Sequence, residues 1–261
     1  MPKYILFFVV FIFAQFPAWL QAEQWNASKS THFVVYYKNA PQKFIEEVKD
    51  KAEGYYQAIT RELGFLRFDF WLWDNRASIY VYDNAQEYQE GTGRPAWSAG
   101  AAMPKDKVVY AFVSEDGFFN RTLPHEIGHI IFREFVGFSN PAVPLWIDEG
   151  VASYHGSMQK GGVDKFLETV HRSGRLIPLS EMALLDPQHI DESDTERVMI
   201  FYAESVSVIN YLIRRFGKAD FVSFCQALRD RRDFERALSY VYSLKNIREL
   251  DESWRKDQGY D

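Results

Sequence analysis

The chain has 261 residues, 47% of them hydrophobic and 25% charged, with a formal net charge of −6. That composition supports a sizeable core and excludes wholesale disorder, while the acidic balance without a long basic run argues against a nucleic-acid partner. A single cysteine, Cys225, excludes an internal disulfide, so an exported fold must rest on its core or on a metal.

The N-terminus reads MPKYILFFVVFIFAQFPAWLQAEQ. Lys3 provides a short basic start, Tyr4 to Phe13 an apolar run, and the small residues up to Ala22 a cleavage region. Residues 1–22 are therefore expected to be a secretory signal peptide, which places the protein in the periplasm or outside the cell. The rival reading is an uncleaved anchor, but Tyr4–Leu20 is barely long enough to cross a bilayer. No second long apolar run follows.

HFVVYYKN (32–39) is rich in β-formers and reads as a strand. Residues 41–64 place Phe44, Ile45, Val48, Ala52, Tyr55, Tyr56, Ile59 and Leu63 at helical spacing, so an amphipathic helix is expected, ending near Gly64. ASIYVYDN (77–84) predicts a strand, and Asn84 caps a short helix after it. AWSAGAAMPKDKVVYAFV (96–113) predicts two strands joined at Pro104–Asp106. The first of them offers Gly100, Ala101 and Ala102. With so little side chain, another backbone can come close, and these three residues are the candidate substrate-binding edge for an extended peptide. The aromatic-rich stretches, including FDFWLWD, are expected to pack in the core.

A helix follows over about 123–136, then a second over about 144–155 after a turn rich in Pro and Asn. Further helices are expected near 163–172 and from about 195 to 216, with a loop through Pro178 and Pro187 between them. Two or three more complete the chain, one placing Cys225 on an apolar face as a buried residue. This order predicts an α+β fold. Residues 23–136 form a mixed α/β lobe and residues 137–261 an all-helical one.

The stretch TLPHEIGHII (122–131) sits where the two lobes meet. His125 and His129 are four apart, so on a helix they share one face and can grip one ion. Ile127, Ile130, Ile131, Phe132, Phe135 and Val136 cover the remaining circumference, which marks a buried helix. Glu126 buried beside two imidazoles is costly unless something compensates, and a divalent metal would. The pattern is H-E-x-x-H, two zinc ligands with a glutamate base. A catalytic zinc needs a third ligand. His32, His155, His171 and His189 are candidates, and so are the neighbours Asp148 and Glu149 in PLWIDEGVASYHG (144–156). Spacing alone leaves both acids open.

LPHEIGHIIF followed by PLWIDEGVASY resembles the gluzincin metallopeptidases of the peptidase-MA-like group. There H-E-x-x-H is followed, after a gap, by W-x-x-E-G-x-A, here Trp146 to Ala152. The resemblance implies a zincin-like fold, one catalytic Zn²⁺ held by His125, His129 and Glu149 rather than Asp148, and Glu126 as the base. MIFYAESVSVINYLIRRFG (199–217) resembles the helix whose tyrosine stabilises the reaction intermediate in related enzymes. The matching residue is Tyr202, although tyrosines on such helices commonly pack in the core, and Tyr211 shares the helix. Two departures stand out. Ser153 occupies the place where the thermolysin-like branch has an aspartate orienting a zinc histidine, and no G-x-M-E-N segment for a free N-terminus is present. The second favours an endopeptidase over an aminopeptidase. The expected function is therefore zinc-dependent hydrolysis of peptide or protein substrates. The alternative, a non-catalytic metal-binding or scaffold module on the same fold, is disfavoured by the intact Glu126.

Overall fold

Alternating apolar residues build one five-stranded sheet. Its strands are β1 (Asn26–Lys29), β2 (Phe33–Tyr37), β3 (Ala77–Tyr82), β4 (Gly100–Met103) and β5 (Val108–Phe112). The computed structural model describes residues 25–65, 71–94, 98–113, 117–155, 160–186 and 194–260. The expected signal peptide, His189, Pro187 and the first three residues of FDFWLWD lie outside these residues; of the rest of that stretch Trp71 is buried as expected, whereas Trp73 is 78% exposed and does not join the core. The strand order is β1-β2-β3-β5-β4. β2, β3 and β5 run parallel, and β1 and β4 are antiparallel to their neighbours. Phe33, Val35, Ile79, Val81, Val109 and Ala111 are buried on one face. On the other, Tyr36, Tyr80 and Tyr110 sit in register, their ring centroids 4.7 and 5.4 Å apart in succession. β1 was not expected, because NASK carries no apolar alternation; it forms only by pairing with β2.

Helix α1 (Gln42–Glu62) packs on the buried face and ends where Gly64 turns left-handed at φ 66°. Helix α2 (Ala85–Thr92) starts at Asn84, whose side chain accepts the Glu87 N–H at 3.0 Å. It stops at Gly93, φ 67°. A π-helical turn, Phe118–Thr122, feeds α3 (Leu123–Val136), which lies against α1 and the sheet. Every element described after α3 is a helix: α4 (Leu145–His155), α5 (Lys160–Arg172), α6 (Leu179–Met182), α7 (Thr195–Phe216), α8 (Lys218–Arg231), α9 (Phe234–Tyr242) and α10 (Ile247–Gln258). The one-turn α6 lies in a stretch expected to be loop; Leu179 and Met182 bury themselves there. Among the described residues no helix is long and apolar enough to cross a membrane. Cys225 is fully buried on α8, and burial pushes its thiol pKa up, which makes it an inert core residue.

Two glycines let α3, α4 and α7 approach at backbone distance. A Cβ on Gly128 would lie 2.9 Å from the Ala152 Cα, and one on Gly150 would lie 2.5 Å from the Ser205 carbonyl oxygen. Both glycines neighbour candidate site residues, so helix spacing and site geometry are the same variable. Gly150→Ala is expected to destabilise the protein by about 1–3 kcal/mol through overpacking. The obstacle is backbone rather than a yielding side chain, so the upper end applies. Urea unfolding checks this; an unchanged midpoint would mean that α4 and α7 separate freely.

Helix α7 also buries a carboxyl group. Glu204 is fully buried; its Oε1 accepts the Ile177 N–H at 2.9 Å, and its Oε2 finds no hydrogen-bond partner. Burial pushes its pKa from the ordinary 4.5 up to about 8, although the Ile177 N–H and Arg255 pull the other way. Between those two values the folded protein keeps a proton that the unfolded chain has released. The contribution of Glu204 to stability is therefore full below about pH 4.5 and falls by about 1.4 kcal/mol per pH unit until the folded group ionises. Glu204→Gln, which mimics the protonated acid, is expected to flatten that slope. Parallel pH profiles of unfolding free energy for both proteins would expose the idea as wrong if their slopes coincide.

Candidate metal centre

His125 and His129 project from one face of α3, with ring centroids 4.6 Å apart and planes at 87°. Their Nε2 atoms are 3.0 Å apart. Glu149, on α4, brings Oε2 to 3.3 Å from the His125 Nε2 and 3.5 Å from the His129 Nε2. The three ligand atoms lie within 4.8 Å of one another, the one such group of three among the described residues. The Glu149 Oε2 is buried yet has no hydrogen-bond partner. An orphaned buried acceptor facing two imidazole nitrogens is unfavourable as it stands. Two nitrogens and one carboxylate oxygen converging on a point are a donor set that zinc takes. The residues therefore fit a divalent metal.

The electrostatics follow from burial and proximity. Burial opposes charge on Glu149, but the imidazoles of His129 and His125 outweigh it and hold the carboxyl far below its ordinary range. Burial likewise opposes a charged His129, and the carboxylates of Asp148 and Glu149 outweigh that, raising its pKa well above the usual value. For Glu126 burial wins. Its pKa is raised despite both histidines, with Glu149 adding to the rise. Glu126 is only 7% exposed.

Behind the ligands each histidine has a second contact. Asp148 Oδ1 lies 3.0 Å from the His129 Nδ1, and the Arg133 Nε donates to Asp148 Oδ2 at 2.6 Å. Ser153 Oγ lies 3.3 Å from the His125 Nδ1. Asp148, which spacing left open as a ligand, thus meets the far nitrogen of His129 while its neighbour Glu149 faces the near one. Successive residues on a helix point about 100° apart, which separates the two acids. Ser153 stands where an orienting aspartate was missing. Arg133 went unnoticed in the sequence, although its i+4 relation to His129 was a usable signal.

The group opens into a cleft of about 220 Å³. Gly100, Ala101 and Ala102 of β4 form one wall, and β4 is an outer strand of the sheet. A Cβ on Gly100 would lie 2.5 Å from the Thr122 Cγ2 and 3.2 Å from the Glu126 Oε1, so the missing side chain lets this backbone rest on Glu126. Tyr202 lines the cleft from α7, its ring 6.5 Å from that of His125. Burial, then the charges of Glu149 and Glu126, push its phenol pKa far up, so the hydroxyl keeps its proton. Tyr211 lies elsewhere, packed on Phe216 with 3% exposure. Of the other histidines, His32 pairs with Glu53 at 2.5 Å and His171 stacks on Tyr260. The His155 side chain and His189 are outside the described residues. A larger groove of about 980 Å³ lies between α5, α7 and α10, where Arg172 pairs with Glu168 and Arg214 with Asp257.

A family model described as the peptidase MA superfamily matches residues 73–258. The match spans the H-E-x-x-H helix, the Trp146–Ala152 segment and Tyr202. No curated protein is found to match the chain. A match over well over half of the sequence decides the family: this chain belongs to the peptidase MA superfamily, the gluzincin-like peptidases that its two motifs resemble.

Proposed function

We propose that this protein is an exported zinc endopeptidase with a zincin-like fold, its α/β lobe (23–136) and helical lobe (137–261) flanking the cleft. One observation carries the reading: three ligand atoms within 4.8 Å share a cleft with a buried glutamate and an outer strand. His125, His129 and Glu149 would hold the ion. When bound, zinc supplies Lewis acidity, which lowers the pKa of a water to about 7 and polarises the scissile carbonyl.

The remaining chemistry belongs to the chain. Glu126 takes the proton of the attacking water and passes it to the leaving amine. Its burial and raised pKa suit a group that must hold and release a proton. Tyr202, protonated throughout, donates to the developing oxyanion. The backbone of Gly100–Ala102 aligns an extended peptide as an added strand beside Glu126. Asp148 and Ser153 orient the two imidazoles. Export rests on residues 1–22.

Metal analysis of the purified protein, followed by incubation with an unstructured protein substrate, tests this. The expected result is one zinc per chain and cleavage that a chelator abolishes and zinc restores. Stoichiometric zinc with no turnover on any unfolded substrate would instead support the non-catalytic module.

A further inference from the structure

One charged side chain in the cleft has no part in the chemistry above. Arg94 lines it together with Glu126 and Gly100. The placement has a local cause. Gly93, immediately before Arg94, ends α2 in a left-handed conformation. The Arg94 N–H donates to Thr92 Oγ1 at 3.4 Å. The side chain is half-buried. Among the described residues its guanidinium has no hydrogen-bond or ion-pair partner.

The other charges of the cleft are engaged. Asp148 is held by Arg133 and His129, and Glu149 faces the two imidazoles. Glu126 and Arg94 feel one another only weakly: among the influences on Glu126, Arg94 ranks behind burial, both histidines and Glu149. A guanidinium presents a planar fork of donors that matches a carboxylate. It lies near Glu126, the group that hands a proton to the leaving amine.

We propose that Arg94 is a specificity residue that receives a carboxylate of the substrate on the leaving-amine side of the scissile bond. This rests on the peptidase reading above and narrows its substrate class. The carboxylate has two sources, an acidic side chain or a free C-terminus, and the two predict different products. The first gives internal cuts before acidic residues. The second trims chain ends.

The test is a random peptide library in two versions, with free-acid and amidated C-termini, incubated with the zinc-loaded protein and read by sequencing the products. Wild type is expected to favour sites with Asp, Glu or a free end within two residues after the cut by at least about 10-fold over Asn, Gln or an amide, the effect of one charge-assisted contact. Arg94→Ala should remove that preference, and Arg94→Lys should restore part of it. Loss of preference in the amidated library alone marks the free C-terminus as the source. Cleavage by wild type without preference overturns the assignment while leaving the peptidase reading intact. A uniform drop for all peptides in Arg94→Ala, preference retained, overturns it too. If nothing is cleaved, the peptidase reading fails separately, and capture of the same library by zinc-loaded Glu126→Gln protein decides Arg94. Carboxylate enrichment that Arg94→Ala abolishes supports the proposal, and capture without enrichment for acidic residues or free C-termini overturns it.

Discussion

Glu126→Gln is expected to lower kcat by about 10²–10⁴-fold, the range for removing a general acid–base group, with zinc content unchanged. Glutamine keeps the shape of the side chain, so its fit in the space left by the missing Gly100 side chain survives. What it loses is the ability to accept and return a proton. The proposed ligands His125, His129 and Glu149 are untouched, so metal binding and activity should separate cleanly. Metal analysis and turnover on one preparation give the answer. Activity near wild type would remove Glu126 from the proton path, and joint loss of zinc and activity would point to a structural role instead.

Asp148→Ala is expected to weaken zinc binding by about 10–100-fold and to cost about 3–5 kcal/mol of stability. Both effects have one origin. Asp148 holds the far nitrogen of His129 and neutralises Arg133, and at 6% exposure it does so away from water. Its removal frees the imidazole to turn and leaves a guanidinium largely buried without its counter-charge. Asp148→Asn should be milder for zinc, because the amide oxygen still accepts from the imidazole, yet nearly as harmful for stability. Chelator competition measures the first quantity and denaturant unfolding the second. Equal zinc affinity in wild type and Asp148→Ala would show that His129 is oriented by its helix alone.

These expectations differ in how far the chain alone could reach them. The helix carrying His125 and His129 was legible because the i, i+4 relation and the apolar surround are local. Its observed span, Leu123–Val136, follows the predicted one closely. The cap at Asn84 and the stop at Gly64 were legible for the same reason: each is a backbone constraint written in one or two residues. β1 was not legible, because its four polar residues acquire strand structure only from β2.

The site divides along the same line. By itself the sequence determined which residues could ligate: two histidines a turn apart, a glutamate between them, and a pair of acids downstream. It could not separate Asp148 from Glu149 by spacing, assign Ser153 a partner, or place Arg94 near the cleft. Only the tertiary structure decided those points. They depend on α4 crossing α3 at Gly128 and α7 at Gly150, and on Arg94, just past α2, lining the cleft that β4 walls. Which residues could ligate follows from local chemistry, whereas which of them face one point, and how each is oriented, follows from contacts between segments distant in the chain.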